Sequence, residues 1–266
     1  MRRLKLTLCY DGTDYHGWQI QPGLPTIQGV LEEALSRIEA RPVAVAGSGR
    51  TDAGVHALAQ VAACTLENPI PTENLRKALN RLLPPAIRIL SVEEAAADFH
   101  PRHGCRAKTY EYRVWRGEVR SPFERRWVHH HPYPLRVDRM EALAPLLEGE
   151  HDFTAFAASD DRDLLGGSKV RTIFSSRVES EGDRLTYRVR GSGFLKHMVR
   201  NIVGLLLEAG KGNLDEGQLR EYLTPGCPRK AGPTAPARGL FLVSVSYGVE
   251  PRNDAPRSSD PAAAST

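Results

Sequence analysis

The eleven residues GSGRTDAGVHA, Gly47 to Ala57, place one carboxylate, Asp52, and one guanidinium, Arg50, among three glycines and no bulky core side chain. A loop so rich in glycine first suggests phosphate binding, and the spacing tests it. Gly47 and Gly49 begin a G-x-G-x-x-G pattern, but Asp52 holds the third place, so the dinucleotide fingerprint fails. Gly49 and Gly54 have the spacing of a P-loop, yet Val55 and His56 follow where that loop needs Lys and Ser or Thr. A carboxylate in the middle would also repel phosphate. Two readings are left: the loop presents Asp52 to a substrate, or Asp52 caps a turn through its own backbone.

A second chemical pattern lies in GFLKHMVRNIVGLLLEAGKG. Read at helical period from Gly193 to Gly210, Phe194, Met198, Ile202 and Leu206 form an apolar line that Leu195, Val199 and Val203 widen. Lys196 and Arg200 then lie one turn apart on another face, with Gly204 one turn beyond, and two stacked cations ask for an anion. A phosphate, a substrate carboxylate or Asp52 would serve; the alternative is an ordinary exposed stripe. Metal chemistry is not indicated. His129, His130 and His131 alternate faces on a strand, and His100, His103 and Cys105 lack a fourth ligand at a usual spacing.

These residues need elements to hold them. RLKLTLCYDG alternates, with Leu4, Leu6, Leu8 and Tyr10 on one face of a strand. Thr26 starts a helix whose apolar positions 27, 30, 31, 34, 35 and 38 make one stripe. PVAVAG reads as a strand feeding the Asp52 loop, HALAQVAACTLE as the next, TENLRKALNRLLP as a helix stopped at Pro84, and AIRILSVEEA as a strand. The order β-α-β-β-α-β is that of a ferredoxin-like unit. KTYEYRVWRG, a helix around Asp138 to Leu147, the hairpin VRTIFSSRVES–DRLTYRVRG, the helix from Gly193, the short helix EGQLREYLT and the strand GLFLVSVSYG repeat that order. The expected fold is therefore α/β (α+β): two ferredoxin-like, RRM-like domains with mixed or antiparallel sheets flanking a central cleft. Their expected bounds are 1–104 and 105–250, with a disordered, low-complexity tail over 251–266.

Composition sets the outer limits. The chain has 266 residues, 41% apolar and 26% charged, enough for one large or two ordinary globular domains. No run of 18 apolar residues and no signal-like start occurs, so a cytoplasmic protein with no membrane partner is expected. Four scattered cysteines read as reduced thiols. Net charge is only +4, but it is concentrated: Arg102 to Arg126 holds eight basic residues against three acids, and Lys169 to Arg200 again eight against three. Arginine suits bidentate phosphate contacts and base stacking. The plain alternative is two solvated faces.

Taken in order, YDGTDYHGWQIQPGLPTIQGVLEEAL, GSGRTDAGVHA, KTYEYRVW, HDFTAF, FLKHMVRNIVG and APARGL closely resemble the tRNA pseudouridine synthase A family, over roughly Leu4 to Tyr247. The resemblance implies that Asp52 is the catalytic aspartate and Arg50 the basic residue beside it. It further implies that Tyr110 packs against the target base and that Arg200 is an active-site arginine. It implies two ferredoxin-like domains, a homodimer, no cofactor, and uridines 38 to 40 of the tRNA anticodon arm as targets.

That chemistry suits the residues. A glycosidic transition state carries positive charge on the sugar, which a carboxylate stabilises or traps. Whether Asp52 attacks C1′, adds to C6 or removes a sugar proton stays open at this level, as does whether Tyr110 stacks or takes the C5 proton. Arg50 and Arg200 would keep Asp52 ionised. Arg102, Arg106, Lys108, Lys169, Arg171 and Lys196 are the expected contacts to the tRNA backbone. Two rivals are an RNA-binding pair of domains without chemistry, which lacks the RNP1-type pattern, and a hydrolase, which lacks a paired carboxylate.

Overall fold

In a computed structural model, residues 1–159 and 166–248 are described. The expected tail over 251–266 lies outside them. The strands are β1 (Arg2–Tyr10), β2 (Ala46–Gly47), β3 (His56–Leu66), β4 (Ile87–Glu94), β5 (Ala107–Trp115), β6 (His129–His130), β7 (Gly149–Asp152), β8 (Val170–Glu181), β9 (Arg184–Gly191) and β10 (Leu240–Ser246). The α-helices are α1 (Ile27–Glu39), α2 (Thr72–Leu82), α3 (Val137–Leu143), α4 (Met198–Lys211) and α5 (Glu216–Tyr222).

All ten strands belong to one mixed sheet, ordered β4-β1-β3-β10-β5-β9-β8-β7, with β2 on β3 and β6 on β5. With the short β6 and β7 left out of the count, β4-β1-β3-β2 and β10-β5-β9-β8 share one order within their halves: fourth, first, third, second. Strand β10 joins the halves. It runs antiparallel to β5 and pairs in parallel with β3 only at Phe241↔His56 and Leu242↔Ala57. Its Phe241 ring stacks on His56 of β3, centroids 4.7 Å apart, while the Arg113 guanidinium of β5 lies 3.9 Å from the ring centre. Where the sequence reading expects a cleft between separate sheets, the backbone ladder is continuous.

The alternating faces pack as patterned. Leu4, Leu6, Leu8 and Tyr10 of β1 are buried with Ile27, Leu31 and Leu35 of α1, and Tyr110, Tyr112 and Val114 of β5 with Val203 and Leu206 of α4. Thr26 caps α1, its hydroxyl accepting from Gly29 N at 3.3 Å.

Three elements differ from the sequence expectation. Only Ala46 and Gly47 of PVAVAG enter the ladder, because Val43 N and Val45 N donate to Ser36 Oγ and Glu32 Oε1 of α1, both at 2.9 Å. The helix expected over Asp138 to Leu147 divides after Leu143 into a 3-10 turn, Ala144–Leu147, since Pro145 has no N–H to continue it. Helix α4 begins at Met198 rather than Gly193, because His197 holds a left-handed φ of 61° that no α-helical residue adopts. No helix among the described residues is long and apolar enough to cross a membrane.

Candidate active site

The Asp52 loop connects β2 to β3 and is anchored from below. Trp18 N donates to Thr51 O at 3.0 Å, and the Thr51 and Tyr10 hydroxyls bond at 2.9 Å. Ser48 Oγ donates to Gln60 Oε1 at 2.6 Å, and Gln60 Nε2 donates to Gly49 O at 3.0 Å. Gly17, at φ +85°, passes so close that a side chain there would press on the Thr51 carbonyl oxygen. Val55 N donates to Asp52 O at 3.1 Å, closing a turn through backbone atoms and leaving the Asp52 carboxylate out of the turn. The capped-turn reading of Asp52 therefore fails.

The carboxylate instead reaches across to α4. Its Oδ2 accepts from Arg200 Nη1 at 3.0 Å, and His197 Nε2 stands 3.5 Å from the same oxygen. Arg200 is itself clamped: its Nε donates to Ala235 O at 2.8 Å, and Ala235 N donates to Arg200 O at 3.1 Å. The segment 232–235 approaches α4 this closely because Gly204 has no side chain; a methyl there would overlap the Pro233 carbonyl oxygen. Asn201 fastens the arrangement, donating through Nδ2 to Phe156 O at 2.7 Å and accepting from Thr234 Oγ1 at 2.6 Å. The motifs HDFTAF, FLKHMVRNIVG and APARGL thus meet on one helix.

Between these elements lies an open cavity of about 1300 Å³, above the roughly 300–1,000 Å³ of ordinary small-molecule pockets. Asp52, Arg50, Tyr110, Arg200, Arg102, Lys108, Arg171 and Lys196 all line it. Arg106 and Lys169 do not: Arg106 is exposed beyond it, and Lys169 lies near Asp152. Arg50 is exposed and makes no ion pair with Asp52, so Arg200, not Arg50, is the carboxylate's countercharge. Lys108 is largely spent on the loop, its ammonium donating to Ser48 O at 2.7 Å, and burial pushes its pKa down. Lys196 is off the helix, and its Nζ donates to Ser159 O at 3.1 Å, which unstacks it from Arg200.

Tyr110 is buried at the cavity wall with the Phe194 ring edge-on, centroids 5.1 Å apart at 80°. Burial, then the neighbouring Tyr10 and Asp52, raise its phenol pKa, so the hydroxyl stays protonated. Burial lowers the His197 pKa against the pull of Asp52, and Arg200 and Lys196 lower it further.

Sequence reasoning missed three residues. Phe194 and His197 are absorbed by a helical period that runs too far toward the N-terminus. Trp18, buried under the loop, sits in YDGTDYHGWQIQPG without any spacing signal of its own. His100, one of the metal candidates, uses Nδ1 to accept from the backbone of Arg102 at 3.1 Å and His103 at 3.3 Å.

The cavity needs one carboxylate, one paired guanidinium and one aromatic wall, drawn from both halves of the chain. The family described as tRNA pseudouridine synthase matches residues 8–103 and 143–248. The chain is 65% identical over 247 residues to tRNA pseudouridine synthase A of Solibacter usitatus, covering 93% of this chain and 100% of that protein. It is 46% identical to the protein of the same name from Myxococcus xanthus, covering 93% and 92%, and 44% identical to that of Brevibacillus brevis, covering 93% and 100%. The chain belongs to the tRNA pseudouridine synthase family.

Proposed function

We propose that this family member isomerises uridine to pseudouridine at positions 38, 39 and/or 40 of the tRNA anticodon arm, with Asp52 as the reacting carboxylate. The observation that carries this is the Asp52–Arg200 pair, 3.0 Å, in a cavity walled by Tyr110. The reaction breaks the bond from N1 to C1′ and forms one from C5 to C1′; the C5 proton leaves and N1 takes one up. Nothing is oxidised or hydrolysed. A single carboxylate meets the positive charge that develops on the sugar. Arg200 pairs with that carboxylate at 3.0 Å, and no second acid is needed because no water attacks.

A base inside folded RNA must leave its stack to reach the cavity, at a cost of a few kcal/mol. The Tyr110 face, braced by Phe194, replaces part of that stacking. The raised phenol pKa favours Tyr110 as a stacking surface over Tyr110 as a base. Arg50, exposed on the rim, fits the space the flipped uridine vacates. Arg102, Arg171 and Lys196 lie along the path of the RNA backbone.

The repeated strand order supports reading residues 1–104 and 105–250 as two ferredoxin-like units sharing one sheet. We further propose a cytoplasmic homodimer that acts without a cofactor. A mass near one 29.4 kDa chain in light scattering would overturn the dimer, and loss of activity on chelation would overturn cofactor independence.

The test is tritium release from tRNA labelled at uridine C5. The isomerase releases tritium into water, a binder releases none, and a hydrolase liberates free base. Asp52→Asn abolishes release; full release by that variant would remove Asp52 from the chemistry.

A further inference from the structure

Arg200 and His197 approach the same oxygen of Asp52. Nη1 lies 3.0 Å and Nε2 3.5 Å from Oδ2, and Oδ1 accepts no hydrogen bond among the described residues. His197 also has an unusual backbone. Its φ of 61° and ψ of −3° are left-handed, and the one other non-glycine residue at positive φ among the described residues is Ala40, at the end of α1 where a left-handed cap is common. Such a conformation disfavours a residue with a Cβ and persists where the surroundings over-determine it, often at functional sites.

The position does not explain the side chain by capping. His197 precedes α4, yet its imidazole makes no cap bond; it points into the cavity instead. Only its carbonyl serves the helix, accepting from Asn201 N at 2.9 Å. Asn201 is the residue tied to Phe156 and Thr234, so the backbone that aims the imidazole is fixed from two sides.

We infer that His197 is a positioning residue for Asp52: with Arg200 it fixes Oδ2 and turns Oδ1 toward the nucleotide. This rests on the reading of Asp52 as the reacting carboxylate. A terminal carboxylate torsion is broad, and a single salt bridge leaves it free to rotate. A second nitrogen held 3.5 Å from the same oxygen narrows that freedom and favours one lone-pair direction. A neutral imidazole with its proton on Nε2 does so without placing another full cation beside a sugar that becomes positive. The charged groups facing it are Asp52 from the loop, Arg200 from α4 and Lys196 from the preceding segment. Protonation of the ring adds a second full countercharge and weakens the carboxylate toward the sugar.

The experiment measures single-turnover tritium release and tRNA binding for the full-length wild type, His197→Gly and His197→Gln from about pH 5 to about pH 8. Glycine accepts the left-handed backbone and removes the ring; glutamine reaches as far as the imidazole Nε2 and keeps an N–H donor there. The expected result is a rate roughly tenfold lower in His197→Gly with tRNA affinity within about twofold, and recovery of most of the rate in His197→Gln. The wild-type profile shows an inflection below the ordinary histidine range that both variants lose. The inference is overturned if His197→Gly keeps the wild-type rate and inflection, or if both variants lose rate in step with thermal stability. Asp52→Asn run alongside separates the cases: release retained there overturns the proposed function, whereas its loss with a normal His197→Gly overturns only the role of His197.

Discussion

Asp52 is gripped through one oxygen, and the grip depends on a guanidinium that is itself bonded on its other side. Arg200 spends Nε on Ala235 O and Nη1 on Asp52, a fork that a lysine cannot copy. Arg200→Ala is expected to cost about 1.5–3 kcal/mol of transition-state stabilisation, roughly 10- to 100-fold in kcat/KM, and Arg200→Lys nearly as much. Steady-state kinetics on tRNA check this; a lysine variant with wild-type kcat/KM would show that charge alone suffices. At this scale much was legible. Asp52 stood out because it breaks the dinucleotide pattern and would repel a phosphate, and Arg200 because a cation on an apolar helix needs a partner. The place of Arg50 was not legible: adjacency in sequence put it next to Asp52, but the loop turns its side chain to the rim. Nor did the sequence show that Lys108 would be spent on Ser48 O.

At the scale of elements, helix α4 and the segment 232–235 act as one clamp. Gly204→Ala forces that segment off the helix and pulls Ala235 O from Arg200. The expected cost is about 1–3 kcal/mol of stability together with loss of activity, read by thermal unfolding and tritium release. An unchanged melting temperature would mean that the segment yields without strain. Strand β6 carries a different kind of prediction. Burial, with His131 and nearby cations, pushes the His129 pKa down to about 4 from 6.5, and its Nδ1 is buried without a partner among the described residues. Below pH 6.5 the unfolded chain binds a proton that the native ring refuses, so stability falls as pH drops from 6.5 to about 4 and this contribution levels off below. Melting temperatures measured across that window should decline, and His129→Gln should make the decline shallower. Alternation made β1 and β5 plain from sequence, and Thr26 and Pro84 bounded α1 and α2. The start of α4 was hidden because Phe194 and Leu195 continue the helical stripe across a residue whose backbone breaks it. PVAVAG alternates like a strand, yet its amides bond to α1 side chains, a choice no local pattern reveals.

For the whole molecule, both halves contribute to the cavity, and cations from separated stretches of chain gather there. Replacing Arg102, Arg171 and Lys196 with glutamine should weaken tRNA binding and flatten the dependence of log K on log salt by roughly one for each cation removed. Binding titrations between about 50 and about 200 mM salt test it; an unchanged slope would move the RNA path elsewhere. The repeated order of elements was legible at this scale as well. The fusion of the halves into one sheet was not, because two parallel residue pairs between β10 and β3 leave no mark in either segment.

That fusion has a consequence for how the chain is made. Strand β10 is synthesised after every other strand, yet it lies in the middle of the sheet, between β3 and β5. Until residues 240–246 leave the ribosome, β5 from Ala107 to Tyr112 and β3 at His56 and Ala57 lack their ladder partner. Ala235 and the rest of the clamp on Arg200 emerge only just before. A nascent chain stalled short of Leu240 therefore lacks the one strand that ties its two halves into a single sheet, and it is a client for chaperones before it is a partner for tRNA.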